Sequence, residues 1–348
     1  MKYADIIDMI RRLANGEDAC DENLSEQLLN SGCWYLLSKS VQYSSKQMTT
    51  VMINSIFINQ RYQACKDVFE RIQDIPYAHI KGAILSSYIY GNPAFRLSGD
   101  IDLLIPPRYS GKVKAVLDDC GFVQGKLVDG KIIPYSRKEL IYQKSFSHQL
   151  APFMKETGSQ MCPFVNIDVN LDIIWGEGDF SIDMENFVCH TEEFEFQGIK
   201  LRKLNPAWEF ISLCMHHYKD MNSIYLIADR GLSLSEFCDI YFYLVNVSPN
   251  VDELTDVARE YGVCDYIYYC IYYTNKIFAD ARLSKYLDKL RSNSAEKLLD
   301  CYGLSDFERR KWNISFYERL FDPRFKDKFR SALTNDEMRK IQINRDFM

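Results

Sequence analysis

The sequence predicts an α+β protein in which the strands are confined to the middle of the chain. Three observations lead to this prediction: helical spacing of apolar residues up to about residue 75, short alternating segments after it, and helical spacing again in the last part. We therefore expect an N-terminal helical cap (1–75), a core that contains the sheet (76–204) and a C-terminal helical domain (205–348).

Length, composition and charge indicate a globular protein whose partner is not a nucleic acid. The chain has 348 residues, of which 47% are hydrophobic and 26% are charged, so it can bury a substantial core. Its formal net charge is −6, which argues against a broad basic face that grips a phosphate backbone. A small molecule, a peptide or a protein fits better as the partner.

Sequence features also predict the compartment. The N-terminus lacks the basic and apolar segments of a secretory leader, and no apolar run reaches the roughly 18–20 residues that span a bilayer. The 11 cysteines are scattered, without a C-x-x-C pair or a cluster at zinc spacing. We expect a cytoplasmic protein with free thiols and no membrane association.

Helices are predicted on both sides of the first strand. Apolar residues recur at helical spacing in 3–10, and 45–75 is a long amphipathic stretch without Pro or Gly. The segment 75–81 has strand character. Gly82 breaks this strand, and a helix is expected at 83–90.

Strands dominate the rest of the predicted core. Gly99 precedes an apolar strand at 101–105, which two prolines terminate, and a helix follows at about 110–119. Strand character returns at 146–154 and 164–175. The remaining predicted elements are a hairpin at 187–204 and three helices, at 206–215, 232–245 and 251–279.

Two aspartates carry the chemistry that the sequence predicts. Asp100 and Asp102 lie two residues apart where a strand emerges from the turn at Gly99, so their carboxylates project to the same side and can share divalent ions. Two Mg²⁺ ions about 4 Å apart suit phosphoryl transfer, because they activate a hydroxyl and neutralise charge on a polyphosphate. The structural alternative is a solvated strand end.

A third carboxylate normally completes such a site. In 167–173 the polar residues Asp168, Asn170 and Asp172 alternate strictly with apolar ones, so a strand would place all three on one face. Asp168 and Asp172 are both candidates for the third metal ligand, and we favour Asp168.

Phosphate binding is predicted for the turn at Lys81 and Gly82. A helix that begins there directs backbone N–H groups and the positive end of its dipole toward an anion. Lys81 or Arg96 can add a charge-assisted contact to phosphate oxygens, and Gly99 completes the predicted binding set. The alternative for both basic side chains is a position in solvent.

These residues carry a resemblance to a known superfamily. It rests on segments that follow one another in the order 81–82, Arg96, 99–104 and the polar strand around Asp168. This order resembles the DNA polymerase β-like nucleotidyltransferases. Within that superfamily the chain looks most like the bacterial family usually labelled uncharacterised nucleotidyltransferases, and the similarity extends to 204–217 in the helical region.

The resemblance implies a fold, a cofactor and a reaction. The implied fold is a small mixed sheet flanked by helices. The implied reaction transfers a nucleoside monophosphate from a nucleoside triphosphate (NTP), releases pyrophosphate and uses Mg²⁺, with two ions expected. Asp100 and Asp102 carry over as metal ligands, and Asp168 stands at the third position. The chain departs from the superfamily pattern at Asn170, where a histidine is expected.

Two rival functions remain open from the sequence. A toxin-like transferase would act on an RNA end or a protein, and a non-catalytic module would keep the fold to bind a nucleotide or a peptide. For the leading hypothesis the acceptor is expected to be a small molecule, a peptide or a protein. Tyrosine-rich helices allow an oligomer without requiring one.

Other conspicuous residues are assigned to structural roles. His148 is expected to be a half-buried structural histidine. His216 and His217 are adjacent on a helix, where side chains point about 100° apart, so they are assigned to helix packing rather than to a shared metal. The tyrosines at helical spacing are assigned to a core or interface stripe rather than to base stacking: Tyr268, Tyr269, Tyr272 and Tyr273.

Overall fold

The structure is a computed structural model, and it describes residues 3–175 and 181–347. Its N-terminal part is helical. The longest helix there begins at a capping box, in which the Ser44 hydroxyl accepts from the Gln47 N–H and the Gln47 side chain accepts from the Ser44 N–H. The helices of this part are α1 (Tyr3–Ala14), α2 (Glu22–Asn30), α3 (Trp34–Leu37), α4 (Ser45–Ala64) and α5 (Lys66–Arg71).

Strands and helices alternate through the middle of the chain. These elements are β1 (Ala78–Ile80), α6 (Gly82–Ile89), β2 (Ile101–Leu104), α7 (Ser110–Asp119), β3 (Val123–Val128), β4 (Lys131–Pro134), α8 (Arg137–Phe146), β5 (Phe153–Glu156), β6 (Phe164–Asn170), α9 (Met184–Phe187), β7 (Thr191–Phe196) and β8 (Ile199–Leu204). Pro106 and Pro107 follow β2 closely, and a proline cannot donate a ladder hydrogen bond.

The C-terminal part is again helical apart from one small hairpin. Its elements are α10 (Pro206–Asn222), α11 (Ile224–Asp229), α12 (Leu234–Asn246), α13 (Val251–Glu260), α14 (Cys264–Phe278), α15 (Ser284–Leu290), α16 (Asn293–Leu298), β9 (Cys301–Tyr302), β10 (Arg310–Lys311), α17 (Phe316–Phe321), α18 (Phe325–Ser331) and α19 (Asn335–Phe347). Across the described residues, no helix combines the length and the apolar character needed to cross a membrane.

Within the described part of the chain, eight strands form one mixed sheet in the order β4-β3-β5-β6-β2-β1-β8-β7. Strand β2 pairs with β6 in parallel and β1 pairs with β8 in parallel, whereas the other neighbours are antiparallel. The predicted α+β architecture, a mixed sheet between helical parts, is confirmed.

The two faces of the sheet differ in character because side chains alternate along each strand. On one face, Ile101, Leu103 and Val169 are almost completely buried in a sheet core shared with α4, α5 and α7. Asp102 and Asp168 alternate with them and project from the opposite face. The apolar residues of that opposite face belong to a larger helical core: Ala78, Ile80, Leu104 and Leu204.

The helical core joins both ends of the chain. It unites apolar residues of α1–α3 with those of α10, α12 and α14. The Arg11 guanidinium on α1 donates from Nε to the carbonyl of Ile277 on α14 at 2.7 Å. Helix α4, in contrast, packs into the sheet core. The domain boundaries at 75 and 204 stay a prediction.

Two predicted strands differ from the observed ones. The segment expected as a strand at 146–154 begins inside the last turn of α8, and β5 starts only later. A capping box explains the helix, since the Glu139 carboxylate accepts from the Ser136 N–H at 2.8 Å and the Ser136 hydroxyl accepts from the Glu139 N–H. The second expected strand, 164–175, ends at Asn170.

The tyrosines of α14 lie in the helical core. Tyr269 is 1% exposed, and its ring packs edge-on against Tyr218 of α10. Tyr268 and Tyr273 are also buried, and Tyr272 packs at the margin of the same core. Their predicted assignment to a core stripe is confirmed.

Candidate active site

Two aspartates lie side by side on neighbouring strands. Asp102 of β2 is in register with Asp168 of β6, and parallel strands about 4.8 Å apart direct register partners to the same face. Asp100 lies just before β2, where its carboxylate accepts a hydrogen bond from the Ser98 hydroxyl at 3.1 Å. Two of the three predicted metal ligands therefore flank each other, and the third approaches along the same chain segment.

Asp168 has an unusual environment for a carboxylate. Its Oδ1 atom is buried and has no hydrogen-bond partner. Burial, followed by the negative charges of Asp102 and Asp100, raises the pKa of Asp168 to about 7, and the positive charge of Lys81 opposes the rise. A buried, unpartnered oxygen among like charges costs free energy unless a cation or a proton compensates it.

The donor atoms of these residues provide part of the ligand shell of a divalent cation. Among residues 3–175 and 181–347, no three His, Cys, Asp or Glu side chains form a group that could hold a metal ion by themselves. Mg²⁺, however, usually takes one or two carboxylates and completes its shell with water and substrate phosphate oxygens. Asp102 and the unpartnered oxygen of Asp168 offer that smaller ligand set, with Asp100 adjacent.

Asn170 orients one of the aspartates. Its side chain is buried, and Nδ2 donates to Asp102 Oδ1 at 3.2 Å and to the Leu103 carbonyl at 3.3 Å. The alternating pattern predicts Asn170 on the same strand face as Asp168, but it assigns no role to the amide. The structure shows that this amide holds the Asp102 carboxylate in place across the β2–β6 pair.

Asp172, the alternative third carboxylate, lies beyond the end of β6. Its Oδ1 accepts from the backbone N–H of Ile174 at 2.9 Å, so it stabilises a local turn. Burial raises the pKa of Asp172. Since Asp168 rather than Asp172 is paired in register with Asp102, the strand geometry favours Asp168 as the third carboxylate.

The turn at Lys81 and Gly82 is tightly constrained. Helix α6 begins at Gly82, which has φ +59°, and an added Cβ there would lie 3.2 Å from Ser98 Oγ. Lys81 has φ 57° and ψ −154°, a region that costs a residue with a side chain about 1–3 kcal/mol. The Lys81 ammonium lies 3.4 Å from Asp102 Oδ1. This turn therefore brings a cation and the first turn of α6 to the carboxylates.

Arg96 is engaged elsewhere in the fold. Its Nε donates to Asp239 Oδ2 on α12 at 2.7 Å, and the Tyr90 hydroxyl donates to the other oxygen of Asp239 at 2.6 Å. This ion pair connects the loop before β2 to the C-terminal helices. Gly99 is exposed, and no atom of another residue lies within 4 Å of a Cβ added there. The phosphate-binding roles of Arg96 and Gly99 stay predictions without a supporting contact.

Residues of α10 that the sequence analysis assigned to packing, or passed over, lie at the site. His216 Nδ1 is 3.4 Å from the Lys81 ammonium, and its Nε2 is 3.5 Å from Asp220 Oδ2. Lys219 Nζ lies 3.9 Å from Asp220 Oδ1. The signal was present in the sequence, because positions i, i+3 and i+4 share one face of a helix.

The other histidines of the sequence analysis lie in different surroundings. The His217 imidazole is buried, with Nδ1 2.9 Å from Glu236 Oε2, as expected of a packing residue. His148 is partly buried, near the positive charges of Lys219 and Lys81. Burial lowers the pKa of His148 to about 3, and the positive charges of Lys219 and Lys81 contribute. His148 is thus uncharged at neutral pH.

Comparison with known proteins identifies the family. The model of a family described as uncharacterised nucleotidyltransferases matches residues 44–279, more than half of the chain, so the chain belongs to that family and is a transferase. The resemblance read from the sequence is thereby confirmed. Membership supports transfer of nucleoside monophosphates in general, from an NTP and with a divalent metal. No curated protein and no solved structure gave a match.

Proposed function

We propose that this member of the uncharacterised nucleotidyltransferase family transfers a nucleoside monophosphate from an NTP to a small-molecule, peptide or protein acceptor and releases pyrophosphate. Asp100, Asp102 and Asp168 are the proposed Mg²⁺ ligands. The observation that carries the proposal is the register of Asp102 with Asp168, whose Oδ1 is buried without a partner beside two other carboxylates.

Each residue of the site has a role that follows from its contacts. When bound, Mg²⁺ would neutralise charge on the phosphates and activate the attacking group. Asn170 fixes the rotation of the Asp102 carboxylate. The first turn of α6, which opens at Gly82, offers backbone N–H groups to phosphate oxygens, and Lys81 adds an ammonium next to Asp102.

The acceptor is proposed on the basis of charge. A formal net charge of −6 disfavours a long nucleic acid, which leaves a small molecule, a peptide or a protein. The toxin-like alternative, transfer to an RNA end or to a protein, differs only in the acceptor and its biological effect. The same labelling experiment therefore distinguishes them.

The test follows the label from the α-phosphate of each of the four NTPs. Purified protein, Mg²⁺ and labelled NTP are incubated with the metabolite, protein and RNA fractions of the source cells, and pyrophosphate release is measured in parallel. We expect one NTP to give pyrophosphate and a labelled acceptor, and both signals to fall to background in the Asp100→Asn/Asp102→Asn variant.

The matched control is Asp118→Asn. Asp118 is a half-exposed carboxylate on α7 that accepts from Lys114, outside the site. The Asp118→Asn variant should label the acceptor to the same extent as the wild type. Undiminished labelling by the folded Asp100→Asn/Asp102→Asn variant would show that these carboxylates are not the metal site.

A further inference from the structure

One face of α10 is connected to the carboxylates by a continuous series of polar contacts. The series runs from Asp102 to the Lys81 ammonium at 3.4 Å, then to His216 Nδ1 at 3.4 Å. It continues from His216 Nε2 to Asp220 at 3.5 Å, and Lys219 ends it 3.9 Å from the same carboxylate. The C-terminal helical part therefore contributes directly to the surroundings of the metal ligands.

The two lysines of this series differ in how firmly they are held. Lys81 is fixed from two sides, by Asp102 and by His216. Lys219 has a side chain only 17% exposed, yet its distance of 3.9 Å from Asp220 is too long for a hydrogen bond. Burial lowers the pKa of Lys219 and the positive charge of Lys81 lowers it too, against the attraction of Asp220 and Asp102. An additional anion would stabilise the Lys219 ammonium.

The partner that suits this arrangement is a polyphosphate. Lysine binds phosphate as a point charge, and a triphosphate has enough oxygens to contact a metal ion and two separate ammonium groups at once. Around the site lie four carboxylates, the three proposed metal ligands and Asp220, together with two lysines, so a metal ion and phosphate oxygens would both meet opposite charges there.

We propose that α10 forms the phosphate-binding wall of the active site, in which Lys219 donates to a phosphate oxygen of the NTP and His216 positions Lys81. This inference rests on the proposed function of the carboxylates. His216 is a positioning residue, because it acts through the Lys81 ammonium rather than on the substrate.

The test uses inorganic tripolyphosphate with Mg²⁺ as the probe, alongside an NTP and the corresponding nucleoside, in binding titrations with the full chain. Lys219→Met should weaken binding of tripolyphosphate and NTP about tenfold, as expected for loss of a hydrogen bond to a charged group. Binding of the nucleoside should not change. Lys219→Arg should restore part of the affinity.

The matched control is Lys203→Met. The Lys203 side chain is 14% exposed and ion-paired with Glu192 on the β7–β8 hairpin, so its burial resembles that of Lys219. We expect Lys203→Met to bind tripolyphosphate like the wild type. Equal weakening in both lysine variants would assign the effect to general destabilisation and would overturn the inference.

His216 is tested by a pair of substitutions. His216→Leu removes the acceptor for the Lys81 ammonium and should weaken tripolyphosphate binding several-fold, whereas His216→Gln keeps an acceptor oxygen and should lose less. Equal binding by both variants and the wild type would exclude the positioning role. His190→Leu, at a ring that stacks on Trp208, serves as the control histidine.

The outcomes separate this inference from the proposed function. Tripolyphosphate binding that depends on Lys219, without pyrophosphate release from any NTP, would support the phosphate wall and contradict the transferase proposal. Pyrophosphate release by the wild type, together with unchanged affinity of Lys219→Met for tripolyphosphate, would support the transferase proposal and contradict the phosphate wall. Absence of tripolyphosphate binding to the wild type would overturn the phosphate wall outright.

Discussion

Asp239 and Asp168 are both largely buried carboxylates, but their hydrogen-bond partners and neighbouring charges are opposite in kind. Both oxygens of Asp239 are satisfied, by the Arg96 guanidinium and by the Tyr90 hydroxyl. Asp168 has an oxygen without a partner and carboxylates as its neighbours. The first arrangement stabilises the fold and the second opposes it. A charge that the fold leaves uncompensated indicates a place where a ligand supplies the compensation.

The largest expected effect is the loss of activity when the uncompensated charge is removed. Asp168→Asn should reduce pyrophosphate release by roughly 10³-fold, about 4 kcal/mol in the activation barrier. The midpoint of thermal unfolding should stay the same or rise, because the repulsion from Asp102 and Asp100 disappears. Steady-state kinetics and a thermal melt on one preparation measure both. If Asp168→Asn kept the activity of the wild type, Asp168 would not be a ligand site and the contrast with Asp239 would be wrong.

The opposite pattern is expected at the compensated carboxylate. Asp239→Asn leaves the half-buried Arg96 guanidinium without its counterion and should lower the free energy of unfolding by about 2 kcal/mol. Urea unfolding measures the loss. Arg96→Met/Asp239→Leu, which removes both charges, should lose less than Asp239→Asn. If Asp239→Asn were as stable as the wild type, the ion pair with Asp239 would not hold Arg96 in place. The predicted phosphate contact of Arg96 would then be open to it.

A smaller effect is expected at Glu209, which tests whether an unpartnered oxygen alone indicates a site. Its Oε1 has no partner, while the Tyr243 hydroxyl donates to its Oε2 at 3.0 Å. Burial raises the pKa of Glu209 to about 7, and the charge of Lys203, the nearby Tyr88 hydroxyl and the hydrogen bond from Tyr243 oppose the rise. Its surroundings are tyrosines and the Lys203–Glu192 ion pair rather than a cluster of carboxylates, so we expect no role in activity.

The sign of the pH dependence at Glu209 follows from the raised pKa. The folded state holds this proton more tightly than the unfolded chain, so the residue lowers the stability as the pH rises from about 4.5 to about 7. Glu209→Gln removes that loss. The variant should exceed the wild type by about 1–3 kcal/mol at pH 8 and match it near pH 4.5, with unchanged pyrophosphate release. A constant difference across this range would contradict the assignment.

The sequence predicted the parts of the site that depend on local periodicity. Alternation in the strand around Asp168, and the spacing of Asp100 and Asp102, were enough to expect carboxylates on one face. The strand expected at 146–154 begins too early because helix α8, which starts after the Ser136 capping box, continues to Phe146.

Contacts between distant segments could not be predicted in the same way. Lys81 meets His216 across 135 positions, and Arg96 meets Asp239 across 143. Helix α10 is buried around most of its circumference, so hydrophobic periodicity does not single out the face that turns toward the sheet. The partners of charged side chains on that face depend on how the helices pack against the sheet.

The backbone at Lys81 has a consequence for protein engineering. Its dihedral angles suit glycine better than any residue with a side chain, so Lys81→Gly would relieve strain and favour survival in a screen for heat resistance. The same substitution would remove the ammonium beside Asp102. Selection for thermostability alone would therefore favour loss of the side chain that we propose for phosphate binding, and a library should keep this codon fixed.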